Sequence, residues 1–206
     1  VIDKLYYINL DKRTDRLKHL KENILPHLQL PGMKQHRVPA VDHTHYNHIC
    51  QRAAGCSLSH MSAWKDAILN KYDKVIIIED DIQLIEDPHK IISCLQKISD
   101  MEISVCNLGY NNMKPLFESK YENFYRCTDV QTASFYVASV KFLEEILPTV
   151  EVATVNLMNF ESYPKNGIDQ VWKKFQNRAD WLLTDRMVKQ MKSHSDLERR
   201  EVDYGV

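Results

Sequence analysis

Glu79-Asp80-Asp81 follow directly on Val75-Ile76-Ile77-Ile78. Three adjacent carboxylates repel one another, so a divalent cation or cationic side chains must offset them. On an extended backbone Glu79 and Asp81 project to one side and Asp80 to the other. Hard carboxylate oxygens suit magnesium or manganese over zinc. A metal held there could bridge the two phosphates of a nucleoside diphosphate and act as a Lewis acid for its departure. The competing reading is that the acids open a solvated loop or cap the next helix. A phosphohydrolase with an aspartate nucleophile after such a strand would carry D-x-D-x-[TV]. Here Ile82-Gln83-Leu84 follow instead, and the spacing does not register.

Phosphate can also be held by backbone amides over closely spaced glycines, and the glycine inventory excludes that route. The five glycines (Gly32, Gly55, Gly109, Gly167 and Gly205) form neither G-x-G-x-x-G nor G-x-x-x-x-G-K-[ST]. A dinucleotide-binding turn and a P-loop are both ruled out. The 206 residues are 44% hydrophobic and 27% charged, enough apolar surface for a core and too much for a disordered chain. A net charge of −1 gives no bulk attraction to nucleic acid or an anionic membrane. The longest aliphatic run, Val75 to Ile78, is far short of the ~20 residues of a transmembrane helix. Five cysteines, odd in number and without a C-x-x-C pair, point to buried thiols in a cytoplasmic or other reducing compartment. The chain opens on Val1 in strand-like sequence, which leaves a secretory lumen open.

The elements that must position these groups follow from the apolar pattern. Leu5 to Leu10 reads as a buried strand, and Thr14 or Asp15 caps a helix running to about Leu25 before Pro26. A short strand lies around Arg37 to Val41, and Arg52 to Asn70 has helical spacing. Val75 to Ile78, unbroken and β-branched, is a central strand covered on both faces. Pro88 to Ile98 is a helix and Ile103 to Leu108 a strand. Tyr121 to Arg126 and Thr132 to Ser139 are further strands, the second leading into a helix over Val140 to Leu147. Residues 148 to 167 read as mostly loop, Ile168 to Phe175 as helical and Trp181 to Leu183 as a strand. Trp64, Trp172 and Trp181 belong to the core. The alternation predicts an α/β fold with a mostly parallel central sheet flanked by helices, one domain over 1–206 ending in a surface tail after about 198.

Several segments, taken in chain order, resemble glycosyltransferase family 25, the group that includes lipopolysaccharide and collagen galactosyltransferases. They are Tyr7-Ile8-Asn9-Leu10-Asp11-Lys12-Arg13-Thr14-Asp15-Arg16, Ala40-Val41-Asp42, Gly55-Cys56-Ser57-Leu58-Ser59-His60, Val75 to Asp81, and Thr132-Ala133-Ser134-Phe135-Tyr136-Val137. Weaker signals lie at Asp169-Gln170 and Ser193 to Leu197. The resemblance implies a GT-A type nucleotide-diphospho-sugar transferase fold. It also implies a UDP-hexose donor (galactose or glucose), a glycan or protein acceptor, and Mn2+ or Mg2+ held by the acidic motif. Asn9, Asp11, Arg13 and Arg16 would then lie near the uridine or pyrophosphate, where arginines supply forked donors that glycine amides do not. Without the resemblance, Arg13 and Arg16 read as a surface helix face paired with Asp15 or Glu22. Ser59 and His60 would face the cleft. Glu79 and Asp80 would contact the nucleotide sugar, and Glu79 and Asp81 the metal.

The resemblance further implies inversion through a single displacement, which needs a base at the acceptor hydroxyl. Asp169, at a helix start after the Pro164 to Gly167 loop, is the candidate base; its competing role is an N-terminal cap. His194 is the candidate third metal ligand, against a solvated tail. A catalytically silent nucleotide- or glycan-binding domain of the same fold remains the second reading. The sequence departs from the family at His43, where glycine is usual. The following H-x-H-x-x-H-x-C fits no structural zinc spacing and reads as a lid or acceptor-facing loop.

Overall fold

The structure, a computed structural model, describes residues 1–112 and 114–191, with the backbone alone of 193–195 and 200–202. Val75 to Ile78 are wholly buried. They form most of β3 (Lys74–Glu79), third strand of an eight-stranded sheet. β1 (Ile2–Asn9) runs parallel to β3 and to β2 (Lys34–Pro39) at the edge. On the other side of β3 come β8 (Val130–Ser139), antiparallel, then β5 (Val105–Asn112) and β9 (Trp181–Leu183). The short β7 (Tyr125–Arg126) and β6 (Phe117–Glu118) close the far edge. Six of the eight strands point one way and β8 and β7 the other, so the sheet is mostly parallel in direction, as expected.

Period-two alternation sends each strand's side chains to two different cores. Val75, Ile77, Tyr136 and Ala138 face α2 (Ile49–Leu69) and α4 (Val140–Met158), together with Trp64, Trp172 and Trp181. Ile76, Ile78, Phe135 and Val137 face α3 (Pro88–Asp100) and the first helical segment. That segment begins as α1 (Thr14–His19) and passes into a π turn over Leu20–Ile24 and a 3-10 turn over Leu25–His27. The cysteines are free, and four of the five are buried.

Three sequence expectations are corrected. The helix after β8 does not stop at Leu147 but crosses Pro148 and ends at Met158, and a further short helix, α5 (Tyr163–Asn166), occupies the expected loop. Pro148 and Glu144 are both exposed, so the helical hydrogen bond that the proline removes lies on the outer side of the helix. Neither Thr14 nor Asp15 caps α1: Arg13 occupies the cap position without a side-chain bond, and Asp15 instead pairs with Arg13 at 2.9 Å. Tyr121 to Arg126 is strand only over its last two residues. The expected tail after 198 falls mostly outside the described residues. The backbone of β12 (Arg200–Val202) pairs antiparallel with β11 (Ser193–Ser195), while β4 (Ile82–Leu84) pairs with β10 (Val188–Gln190).

Gly55 on α2 lets the 41–43 loop close onto the helix. A Cβ there would lie 2.8 Å from His43 Cβ and 2.9 Å from the Val41 carbonyl oxygen. Neither atom is the free end of a side chain, so Gly55→Ala is expected to destabilise by about 1–3 kcal/mol. The shift of the urea unfolding midpoint measures it; an unchanged midpoint would show that the loop yields.

Candidate active site

Parallel strands leave a crevice beyond their carboxyl ends, where ligands of open α/β sheets bind. β1 ends at Asn9 and β3 at Glu79, with Ile8 in register with Glu79. Asn9 therefore sits opposite Asp80 and donates to its Oδ2 at 2.7 Å. Arg16, on the first helical turns after β1, donates to Asp80 Oδ1 at 2.9 Å and lies 3.5 Å from Asp81 Oδ2. Asn9, Arg16 and Asp80 are all buried. Burial still pushes the Asp80 carboxyl above the ordinary carboxylate range, although Arg16 and Asn9 pull it back. The strand ends at Glu79, so the alternation of an extended chain does not carry on through Asp80 and Asp81; all three acids border the crevice, with Asp80 tied to Asn9 and Arg16.

The hollow at these strand ends encloses about 830 Å³ including its open mouth. Asn9, Arg16, Ser59, His60, Glu79, Asp80 and Asp81 all border it. Asp11 and Arg13 do not. Asp11 is exposed and accepts from Arg37 Nη2 at 2.7 Å, and the Arg13 guanidinium is engaged with Asp15. Ser59 borders the hollow but its hydroxyl serves the scaffold, accepting from Val41 N and donating to the Gly55 carbonyl. Burial, reinforced by the charge of Glu79, pushes the Asp81 carboxyl well up. Its Oδ1 is buried without a hydrogen-bond partner among the described residues, and Gln190 bonds the side chain. The side chain of His194 lies outside the described residues.

A second hollow adjoins the first, and the two share Cys56, Glu79 and Gln190 as walls. Asp169 lies in this second hollow with Tyr163 and Thr132. It stands in the first turn of α6 (Ile168–Val171), whose cap position belongs to Gly167, so Asp169 is not the cap. Instead its Oδ2 accepts from the Thr132 backbone N–H at 3.2 Å. Thr132 adopts φ 81° where the β5–β8 ladder slips register. A β-branched residue in that region stores roughly 1–3 kcal/mol of strain, which aims the N–H at Asp169. Burial raises the Asp169 carboxyl despite that bond.

Sequence reasoning missed Arg37, which donates to Asn9 Oδ1 at 2.8 Å and ties it to Asp11. It also missed Arg52, which borders the first hollow while donating to the Tyr46 and Asn47 carbonyls. Cys56 and Tyr136 stood inside the motifs without an assigned role. Gln190 carried no signal at all.

This architecture is that of GT-A type glycosyltransferases. The glycosyltransferase family 25 profile, described as an LPS biosynthesis protein family, matches residues 33–204, and the chain belongs to that family. It is a glycosyltransferase. Among solved structures it is similar to a glycosyltransferase involved in the glycosylation of the major capsid of PBCV-1. That likeness has 11% identity over 97% of each chain and a TM-score of 0.57. A lesser likeness is to A197 from STIV, with 12% identity over 98% of this chain and 96% of that one and a TM-score of 0.48. Another is to a mannose-1-phosphate geranyltransferase from Thermus thermophilus, with 11% identity over 91% and 74% and a TM-score of 0.47. No curated protein matches the chain by sequence. Among the described residues no helix is long and apolar enough to cross a membrane.

Two outcomes test this geometry. Arg16→Met leaves Asp80 buried without its cation, and the expected cost is about 3–5 kcal/mol in chemical unfolding. Asp169→Asn removes a carboxyl whose folded value lies above its ordinary 3.8. The wild type loses stability as pH rises past 3.8 through that folded value, and the variant does not. The variant is therefore expected to melt higher than the wild type at neutral pH, with the difference closing in acid. A variant that melts lower at neutral pH would contradict the burial argument.

Proposed function

We propose that this glycosyltransferase moves a hexose, galactose or glucose, from a UDP-sugar to a hydroxyl of a glycan or protein acceptor, with inversion and with Mn2+ or Mg2+. The observation that carries this reading is the Asp81 carboxyl beside Glu79. It is an acid pushed up by burial and by a like charge, with one buried oxygen left without a partner among the described residues. Arg16, 3.5 Å from Asp81 and already bonded to Asp80, offsets these charges only in part, and hard oxygens fit a divalent cation. Glu79 and Asp81 would hold the ion, which would stabilise the charge developing on the departing diphosphate.

The chain's own residues supply the rest. Arg16 and Arg52 border the first hollow beside the three acids and would add to the cation's charge there, where the nucleotide end of the donor binds. Asp80, itself bonded by Asn9, holds Arg16 in place. The acceptor enters the second hollow, where Asp169 takes the proton from its attacking hydroxyl. A carboxylate whose burial favours the protonated form is suited to that task. Because both hollows share the Glu79 wall, donor and acceptor would meet beside Glu79.

The test is a thermal-shift and calorimetric screen of UDP-sugars with and without manganese. UDP binding that requires the metal is expected in the wild type. Asp81→Asn is expected to abolish the metal-dependent part while the unfolding transition without ligand survives. UDP affinity unchanged in that variant would sink the reading. Slow hydrolysis of a bound UDP-sugar separates an active enzyme from a silent binding domain.

A further inference from the structure

Cys56, His60 and Trp64 recur every four residues on α2, and that spacing puts them on one face, toward the sheet. Trp64 Nε1 donates to the Tyr136 hydroxyl at 2.9 Å, and His60 Nδ1 lies 2.9 Å from the same hydroxyl. His60 Nε2 lies 3.2 Å from Glu79 Oε1, and the Cys56 thiol is 3.7 Å from that oxygen. Trp64, His60 and Tyr136 are at most 1% exposed, so no bulk water completes their bonding.

Counting protons settles the direction of this chain. An indole N–H only donates, and a phenol has one proton to give. If Nδ1 carried the imidazole proton, the Tyr136 oxygen would accept twice and its own proton would have no acceptor among the described residues. Nε2 would then face Glu79 lone pair against lone pair. The opposite assignment satisfies every group: Tyr136 donates to Nδ1, and Nε2–H donates to Glu79.

We infer that Trp64, Tyr136 and His60 form a one-way hydrogen-bond relay that locks His60 as the Nε2-protonated tautomer and holds Glu79 Oε1. His60 and Tyr136 are thus positioning residues for the carboxylate that both hollows share. This selects the class of cation. Cys56, His60 and Glu79 offer three ligand atoms within 4.8 Å of one another, a set whose sulfur and nitrogen suit zinc. The relay places a proton on Nε2 where zinc needs a lone pair. Zinc would have to expel it and leave the Tyr136 proton buried without an acceptor. Glu79 Oε2, with no partner among the described residues, stays available beside Asp81 for a hard, oxygen-ligated cation. This last step rests on the proposed function; the tautomer does not.

Long-range 1H–15N correlation spectra of the ligand-free protein in mildly alkaline buffer read the tautomer directly, with His60→Gln assigning the signal. A protonated Nε2 and a bare Nδ1 are expected. A protonated Nδ1, or stoichiometric zinc on Nε2 in protein purified without chelator, would overturn the relay. Tyr136→Phe is expected to release the tautomer and weaken manganese-dependent UDP binding about tenfold, the scale of one lost hydrogen bond. His60→Gln, which keeps an N–H for Glu79, should lose less of that affinity than His60→Leu; equal losses would reduce His60 to packing and overturn its positioning role. The expected tautomer in a protein that binds no UDP-sugar would leave the relay standing and remove the proposed function alone.

Discussion

A carboxylate buried at the end of a central strand must find its counter-charge within the protein, and Asp80 finds it in Arg16 with help from Asn9. That requirement joins three pieces of chain: the end of β1, the first turn of α1 and the end of β3. Arg37 extends the cluster to β2 through Asn9. The pair is weak evidence of net stability, since desolvation of both ions offsets much of their attraction. Its consequence is geometric. With Asp80 tied down by Arg16 and Asn9, Glu79 and Asp81 on either side of it border the same crevice.

The crevice itself is built from small departures from regular structure. Gly55 admits the 41–43 loop to the surface of α2, and Ser59 stitches that loop down through Val41 N. The positive φ of Thr132 turns a strand N–H out of the ladder toward Asp169. Gly109, facing Thr132's strand, has no room for a side chain, because a Cβ would come within 2.5 Å of Val188. Val41 and His43 line the first hollow and Thr132 the second, and strain such as that at Thr132 is retained where it serves a site. Charge is distributed unevenly: Arg16 and Arg52 border the first hollow together with Glu79, Asp80 and Asp81, whereas Asp169 and Glu79 are the charged groups of the second among the described residues.

Much of the fold was legible because burial writes itself into periodicity. Val75 to Ile78 announced a strand covered on both faces, and the helical spacing of residues 52 to 70 announced α2 to within a few residues at each end. The Pro88 start of α3 was legible too, since Asp87 caps it and accepts from His89 N. Pro148 misled because local propensity counts a lost hydrogen bond, while the packing of α4 on α2 outweighs it. The Asp11 to Arg13 turn misled in another way. Its charges satisfy one another and Arg37 at the surface, an outcome that no count of residue types foretells.

By itself the sequence determined that phosphate could not be held on glycine amides and that three acids stood at the end of a buried strand. These follow from inventory and from an unbroken apolar run, which are local properties. Only tertiary structure decided which cation answers which acid, that Glu79 is shared by two hollows, and which nitrogen of His60 carries its proton. Those depend on contacts between residues 60 and 136, 16 and 80, and 132 and 169, far apart along the chain, and no local pattern encodes the orientation of a hydrogen bond between such partners.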